Sequence, residues 1–339
     1  MISVKQAIPT YGYDLLKTID RDYFRDCIVI CAPEPWEFVK SEFAKAPHEV
    51  IVPKSMEQSV LEKQLSTMPK VSTVFGIGGG SACDAAKMYG WLYGARVVLI
   101  PTILSVDAPF TKAIGVRIGH RVRYIGEVYP EHLLIDFNLL QKATPKLNRA
   151  GIGDILSIYT ALFDWRLAAE KIGEEYDQNI AAQSQALLDR LLRHSKEIRD
   201  CTEEGLKLIA ELYKGEVALC ELFGNSRPEE GSEHYLAYCL EYLTHKTYLH
   251  GELVSLAVLL IALYQSQPVE WLMHMLNEMQ VEYRPELVGV SLEELKQALL
   301  HLPAYLAEEK QLLFGIFHHK GMDSDQAIKL IAELDSLLK

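Results

Sequence analysis

Two histidines and one aspartate are the residues of this sequence that best suit metal chemistry. Asp154 opens one helical pattern, His234 lies early in a second, and His250 opens a third. Two imidazoles and one carboxylate, with a coordination position left for water or substrate, suit a catalytic divalent ion such as zinc. Taken singly, Asp154 is better explained as a helix-start carboxylate and each histidine as a structural residue. Because the three would come from separate helices, spacing alone leaves both interpretations open.

A glycine cluster points to phosphate binding. The run from Gly76 to Gly80 follows a β-rich segment, and Ser81 opens a helical pattern. Glycines let a phosphate approach the backbone, and the N–H groups and dipole at a helix N-terminus favour an anion. The cluster predicts a pyrophosphate cradle. A strand-to-helix turn without a ligand is the alternative, because the spacing is not GxGxxG and no Gly-Lys-Ser/Thr ending follows.

Hydroxyls and a carboxylate follow the next β-rich segment. Thr102 and Ser105 come directly after it and are predicted cofactor contacts, while Asp107 is predicted to meet a substrate hydroxyl. Ligands of parallel sheets bind at this carboxyl edge. An Asx-type turn built from Ser105 and Asp107 is the alternative.

The elements that must position these residues divide the chain into two predicted domains. Residues 1–146 are predicted to form a dinucleotide-binding α/β domain with a mostly parallel, Rossmann-like sheet, because near-continuous apolar runs suit strands buried on both faces. Residues 147–339 are predicted to form an all-α domain that binds metal and substrate. The predicted strands are 27–31, 49–52, 71–75 and 96–100. The predicted helices are 150–171, 178–197, 203–223, 232–247, 250–266, 268–279, 292–302 and 325–338.

Bulk properties exclude several classes of function. The net charge of -12 and the pI near 5.4 work against binding nucleic acid. The longest apolar run, Leu253 to Tyr264, is too short to span a bilayer and predicts a buried helix. The six cysteines form no paired CxxC motif, and no secretory signal is evident, so we expect reduced thiols and a cytoplasmic location.

Four ordered motifs resemble the glycerol dehydrogenase, dehydroquinate synthase and iron-containing alcohol dehydrogenase superfamily, most closely its sn-glycerol-1-phosphate dehydrogenase branch. The resemblance covers roughly residues 70 to 260. The motifs are Gly78-Gly79-Gly80-Ser81 with Asp84 and Lys87; Pro101-Thr102 with Ser105 and Asp107; Arg149 to Asp154 with Tyr159-Thr160-Ala161 and Asp164-Trp165; and Arg227-Pro228 with Gly231 to His234 and His250-Gly251-Glu252.

The resemblance implies a dehydroquinate synthase-like fold and a role for each motif. The implied dinucleotide contacts are Gly78, Gly79, Gly80, Ser81 and Asp84 around the pyrophosphate, with Thr102, Ser105 and Thr111 at adenosine or nicotinamide. The implied metal ligands are Asp154, His234 and His250, with fifteen residues between the histidines as in the glycerol-1-phosphate branch. Asp107 and Tyr238 are the implied substrate residues.

Departures from the branch bear on the substrate. Val106 stands before Asp107 and Ala108-Pro109 after it, as in glycerol dehydrogenase. Tyr238 replaces a usual substrate histidine, and Glu229-Glu230 replaces small residues, adding charge that would repel a phosphate. Ile158 stands where iron-type enzymes carry a further histidine, which favours a three-ligand zinc-like site.

The expected function is therefore a metal-dependent, NAD(P)-linked oxidoreductase acting on a small polyol or polyol phosphate, glycerol-1-phosphate dehydrogenase-like in reducing dihydroxyacetone phosphate. Glycerol dehydrogenase-like oxidation of an unphosphorylated polyol is one alternative. A dehydroquinate synthase-like lyase and a non-catalytic nucleotide-binding homologue are the others; the first would need more pocket lysines and arginines, and intact metal ligands argue against the second. Expected cofactors are NAD or NADP, since only Glu34 is a candidate ribose contact, and zinc, with nickel or iron as alternatives. A homodimer or larger homo-oligomer is expected.

Overall fold

The computed structural model describes residues 8–43, 45–309 and 312–339. The chain divides into two compact units. The first reaches Asn148 and also includes Cys201–Ala210; the second comprises Arg149–Asp200 and Glu211–Lys339. The assignment of cofactor binding to one unit and of metal binding to the other stays a prediction.

A parallel sheet forms the centre of the first unit. The strands are β1 (Pro9–Gly12), β2 (Cys27–Cys31), β3 (Val50–Ile51), β4 (Thr73–Gly78), β5 (Arg96–Pro101), β6 (Ala113–Ile118), β7 (Arg121–Glu127) and β8 (His132–Asp136). Six of them pair in the order β1-β8-β5-β4-β2-β3, every pair parallel. Strands β2 and β4 are buried along their whole length, which is why they appear in the sequence as apolar runs.

The four predicted strands are all present, and four further strands were not predicted. Strands β6 and β7 form an antiparallel hairpin. Its turn residues Gly119 and His120 both have positive φ, at 58° and 64°, as a tight two-residue hairpin turn requires. Only alternate residues of β6 are fully buried, so the hairpin carries a weaker apolar signal than the central strands.

Helices lie between the strands along the first part of the chain and make up most of the second unit. The helices up to residue 149 are α1 (Pro33–Val39), α2 (Gln58–Ser66), α3 (Gly80–Tyr93), α4 (Phe137–Leu140) and α5 (Pro145–Arg149). The later helices are α6 (Ile152–Ile172), α7 (Gln178–Leu192), α8 (Ser195–Arg199), α9 (Glu203–Phe223), α10 (Ser232–Thr244), α11 (His250–Tyr264), α12 (Glu270–Met279), α13 (Pro285–Val288), α14 (Leu292–Glu308), α15 (Ile316–Lys320) and α16 (Ser324–Leu337).

Helix α11 is the core helix of the second unit. It is buried on all sides from Gly251 to Ala262 and packs along α6. Helix α14 continues past Pro303, where the sequence predicts an end near residue 302, because Tyr305 and Leu306 are buried on its last turn. In the described ranges no helix combines the length and apolar character needed to cross a bilayer. The cytoplasmic location stays a prediction.

The parallel sheet of the first unit and the helical second unit confirm the predicted fold class.

Candidate functional site

The structure brings together the three residues nominated as metal ligands. Asp154 lies in the first turn of α6, His234 in the first turn of α10, and His250 is the first residue of α11. One donor atom from each lies within 4.8 Å of the others. Asp154 Oδ1 is 3.4 Å from His250 Nε2 and 4.0 Å from His234 Nε2. Asp154 and His234 are buried, while the His250 side chain is 24% exposed, so the cluster keeps one accessible member.

Glycines allow two of the ligand-bearing helices to begin side by side. A Cβ on Gly153 would lie 2.1 Å from the carbonyl oxygen of Gly251, and a Cβ on Gly251 would lie 1.8 Å from the carbonyl oxygen of Ala150. Both obstacles are backbone atoms, which cannot rotate away. The glycines before Asp154 and after His250 therefore set the close approach of these two ligands.

Glu233 fixes the orientation of the His234 ring. Its Oε1 lies 3.0 Å from His234 Nδ1 and also accepts the Gly231 N–H at 2.6 Å, while Oε2 accepts the Thr160 hydroxyl at 2.7 Å. An ionised carboxylate only accepts hydrogen bonds, so Nδ1 carries a proton and Nε2 is the ring nitrogen left to face a ligand. Sequence reasoning missed Glu233; its position directly before a histidine at the start of a buried helix was the available signal.

Negative charge concentrates around His234. Burial by itself lowers the pKa of this imidazole, but the hydrogen bond to Glu233 and the charges of Glu230, Glu233 and Asp154 raise the pKa on balance to about 10. The same carboxylates that favour a proton on the ring favour a cation at its Nε2.

Tyr238 lies one turn beyond His234 on α10. It is buried, and its ring centroid is 5.9 Å from that of His234. Ile158 occupies the next turn of α6 after Asp154 and is fully buried. The predicted substrate tyrosine is therefore beside the cluster, and the position of the fourth iron ligand is occupied by an apolar side chain.

The glycine cluster that the sequence predicts to be a pyrophosphate cradle lies at the carboxyl edge of the sheet. Strand β4 ends at Gly78, whose φ of 151° favours glycine, and α3 starts at Gly80 without a capping side chain from Gly79. Ser81 is exposed. A Cβ on Gly79 would lie 2.8 Å from Ile103 Cδ1, and one on Gly80 2.7 Å from Val106 Cγ1, so either side chain would have to move to admit it.

The second cofactor segment lies beside this cradle because β4 and β5 are neighbours. Gly78 pairs in register with Pro101, and the Thr102 N–H donates to the Gly78 carbonyl at 3.0 Å. Thr102 and Ser105 are buried, and Asp107 and Thr111 are partly exposed. The Phe110 N–H donates to the Asp107 carbonyl at 2.7 Å, so a turn follows the predicted substrate aspartate.

Asp84 sits in a different environment from the exposed cradle residues. Its carboxylate is 2.8 Å from Lys87 Nζ, and Lys87 is fully buried. The same ammonium group donates to the carbonyls of Ala108 at 2.9 Å and Thr111 at 3.2 Å, and also to that of Ala113. Burial raises the pKa of Asp84, and Lys87 opposes that rise. Lys87, which pairs with Asp84, therefore ties α3 to the segment that carries Asp107 and Thr111.

Comparison with known proteins points to one group of dehydrogenases. Residues 38–144 match the family model described as iron-containing alcohol dehydrogenase. The curated glycerol-1-phosphate dehydrogenase [NAD(P)+] of Hyperthermus butylicus is 34% identical over 194 residues, which cover 56% of this chain and 54% of the relative. The corresponding protein of Staphylothermus marinus is 26% identical over 265 residues, covering 78% and 73%.

The matched region spans only about half of the length of the first relatives. A second relative, from Methanothermobacter thermautotrophicus, is likewise 32% identical over 52% of its length.

Solved structures match over nearly the whole chain. A probable glycerol dehydrogenase from Sinorhizobium meliloti has a TM-score of 0.75 at 14% identity, covering 98% of both chains. Glycerol dehydrogenase from Schizosaccharomyces pombe has a TM-score of 0.69 at 16% identity, covering 98% of this chain and 90% of the other. At these identities the likeness establishes the fold.

Proposed function

From the likeness of this chain to glycerol dehydrogenases and iron-containing alcohol dehydrogenases, we infer that it is a metal-dependent, NAD(P)-linked oxidoreductase of a small polyol or polyol phosphate. The observation that carries this proposal is the cluster of Asp154, His234 and His250, with donor atoms within 4.8 Å of one another. A protein that only binds a nucleotide does not need such a cluster of ligand residues.

The donor chemistry fits a divalent cation of the zinc type. Two imidazole nitrogens and one carboxylate oxygen are the ligand types that catalytic zinc takes, and Glu233 supplies the outer carboxylate that commonly orients a zinc-binding histidine. Nickel and iron stay as alternatives; the apolar Ile158 disfavours a four-ligand iron site. When bound, the cation supplies stabilisation of negative charge on the reacting oxygen, and the dinucleotide carries the hydride.

The chain's own residues are proposed to bind and orient the reactants. Glu233 keeps the proton of His234 on Nδ1, so that Nε2 is the ligand atom. The uncapped N-terminus of α3, with Gly79, Gly80 and Ser81, offers N–H groups to the dinucleotide pyrophosphate. Thr102, Ser105 and Thr111 are proposed as further contacts to the dinucleotide. NAD and NADP are both candidates; Glu34, the proposed ribose contact, lies in the first turn of α1.

Asp107 and Tyr238 are proposed to hold the substrate through a hydroxyl next to the reacting carbon. Both side chains offer oxygen atoms that suit a polyol. The relatives named above are glycerol-1-phosphate dehydrogenases, which makes reduction of dihydroxyacetone phosphate, or oxidation of glycerol 1-phosphate, the first candidate reaction.

Oxidation of an unphosphorylated polyol is the second candidate, and one observation favours it. The charge of Glu230 reaches His234 strongly enough to raise its pKa, so the metal site carries a carboxylate that would repel a substrate phosphate. The sequence Val106-Asp107-Ala108-Pro109 points the same way by its likeness to glycerol dehydrogenase.

One assay tests the function and separates these candidates. Protein reconstituted with zinc is mixed with NADH or NADPH and either dihydroxyacetone phosphate or dihydroxyacetone, and absorbance at 340 nm is followed. His250→Ala should lose both bound zinc and turnover, whereas His274→Ala, at an exposed histidine of α12, should lose neither. Turnover by metal-free His250→Ala at the rate of the unaltered enzyme would refute the proposal.

Light scattering on the same samples tests the expected homodimer or larger assembly.

A further inference from the structure

Asp164 is a buried carboxylate with four hydrogen-bond donors. It lies on α6, ten residues beyond Asp154, and is 0% exposed. Its Oδ2 accepts the Ser232 N–H at 2.9 Å and the Ser232 hydroxyl. Its Oδ1 accepts the Gln265 side-chain amide at 2.9 Å and the Ile316 N–H at 3.0 Å. None of these partners is a predicted ligand.

Two of the three donor residues lie on, or directly after, helices that carry the metal cluster. Ser232 is the first residue of α10 and stands two residues before His234. Gln265 directly follows α11, the helix that starts at His250. Ile316 begins α15. One carboxylate on the helix of Asp154 therefore holds the helices of both histidines.

Two glycines leave room for this carboxylate at the starts of two helices. Helices α10 and α15 have Gly231 and Gly315 at their N-caps, so neither has a capping side chain of its own. A Cβ on Gly231 would lie 3.1 Å from Asp164 Oδ2, and one on Gly315 would lie 2.4 Å from it. Asp164 takes the place of the cap at both helix starts, where N–H groups lack intrahelical partners and the dipole favours negative charge.

Burial disfavours the charged form of Asp164, and its hydrogen bonds offset part of this effect. Burial raises its pKa to about 6, with Glu233 adding to the rise and the hydrogen bonds from Ser232 and Gln265 opposing it. At pH 7.5 the group is therefore mainly an ionised acceptor for all four donors.

We propose that Asp164 is a positioning residue of the metal centre, which fixes the start of α10 and the end of α11 relative to α6 so that Asp154, His234 and His250 converge. The proposal rests on the metal site of the proposed function. It predicts that damage at Asp164 appears in metal affinity and in coordination geometry, and not only in the stability of the second unit.

The test uses Co²⁺, whose visible absorption reports coordination geometry, added to metal-free full-length protein at pH 7.5. In Asp164→Asn the side-chain amide points N–H groups at donors, so at least one of the four bonds is lost. We expect Co²⁺ affinity to fall about 10- to 100-fold, as for other outer carboxylates of metal sites, with shifted absorption bands. Trp165→Phe is the matched control, because it removes a buried bond of the same helix, from Trp165 Nε1 to the Glu175 carbonyl.

A second variant keeps the test decisive if Asp164→Asn does not fold. Ser232→Ala removes the hydroxyl donor and keeps the backbone N–H bond, so we expect about a 3- to 10-fold loss of affinity, smaller than the loss at Asp164. The positioning role would be overturned if Asp164→Asn bound Co²⁺ with the affinity and spectrum of Trp165→Phe. If Asp164→Asn is unfolded, the same result for Ser232→Ala would overturn it. Absence of Co²⁺ binding by the unaltered protein would instead refute the proposed metal site itself.

Discussion

Glu233 and His234 act together within the candidate metal centre. The carboxylate accepts hydrogen bonds from His234 Nδ1–H, the Gly231 N–H and the Thr160 hydroxyl, so three contacts fix its position. Glu233 is fully buried. Its negative charge is therefore poorly screened by water, and it increases the electron density that the imidazole offers to a cation.

Replacing Glu233 by glutamine should weaken zinc binding by about 10-fold or more, because the amide keeps the shape but removes the charge that orients and polarises His234. Competition of the purified variant against a zinc-binding dye measures the change. Glu294→Gln, which removes a partly exposed carboxylate paired with Lys246, serves as the control and should leave zinc affinity unchanged. Equal affinities in the two variants would contradict a role for Glu233.

The contact between the starts of α6 and α11 leaves no room for a side chain at its two glycines. It lies between Gly153 and Gly251, with backbone atoms as the obstacles to any side chain. The Tyr213 hydroxyl donates to the Gly151 carbonyl at 2.7 Å and fixes the segment just before α6. The spacing of two ligand-bearing helices is thus set by residues that themselves offer no ligand atom.

Gly153→Ala should therefore separate the two helices, lower the free energy of unfolding by about 1–3 kcal/mol, and reduce zinc affinity because Asp154 and His250 move apart. Urea unfolding and zinc titration measure the two effects. Gly215→Ala is a matched control, since its Cβ would meet only the flexible end of Leu187, at 2.9 Å. If Gly153→Ala binds zinc as Gly215→Ala does, the close approach is not needed for the site.

In the first unit, Lys87 joins α3 to the loop that follows β5. Lys87→Met leaves the buried Asp84 without its partner, so we expect a loss of about 3–5 kcal/mol in the free energy of unfolding. The double variant Asp84→Asn/Lys87→Met should recover part of this loss, because no unpaired charge is then buried. Urea unfolding of the single and double variants measures these changes, with Lys296→Met, at a partly exposed lysine, as the control. A double variant no more stable than Lys87→Met would contradict the ion-pair explanation.

For the molecule as a whole, a bound cation should contribute to stability. Three donors from three helices converge in the folded second unit, whereas the unfolded chain has no such arrangement. Free zinc at about 100 times its dissociation constant adds about 2.7 kcal/mol of stability, which should raise the melting temperature by several degrees. Thermal unfolding with zinc and with a chelator measures this. His250→Ala should respond much less, and an equal rise in that variant would place the stabilising zinc elsewhere.

The sequence predicted what depends on local pattern and missed what depends on contacts between distant segments. Strands β2, β4 and β5 carry continuous apolar runs, and the glycine cluster opens α3 as expected. The roles of Glu233 and Asp164 were not predicted, because an acidic residue looks much the same in sequence whether it caps a helix, orients a histidine or faces solvent. The ligand triad was predicted through resemblance, since its members lie on three helices whose convergence no spacing reveals.

The pairing of β1 with β8 has a consequence for synthesis on the ribosome. Pro9 pairs with Leu133 and Gly12 with Asp136, so the outer strand of the sheet cannot dock until more than 120 further residues have been translated. The first unit also includes Cys201–Ala210, and Glu203 on that segment accepts a hydrogen bond from Tyr13. A nascent chain that has been translated only as far as Asn148 therefore still lacks part of its first unit. Such long-range parallel pairing is slow. The edge of β8 therefore stays unpaired until β1 docks on it, and an unpaired strand edge promotes aggregation of the growing chain.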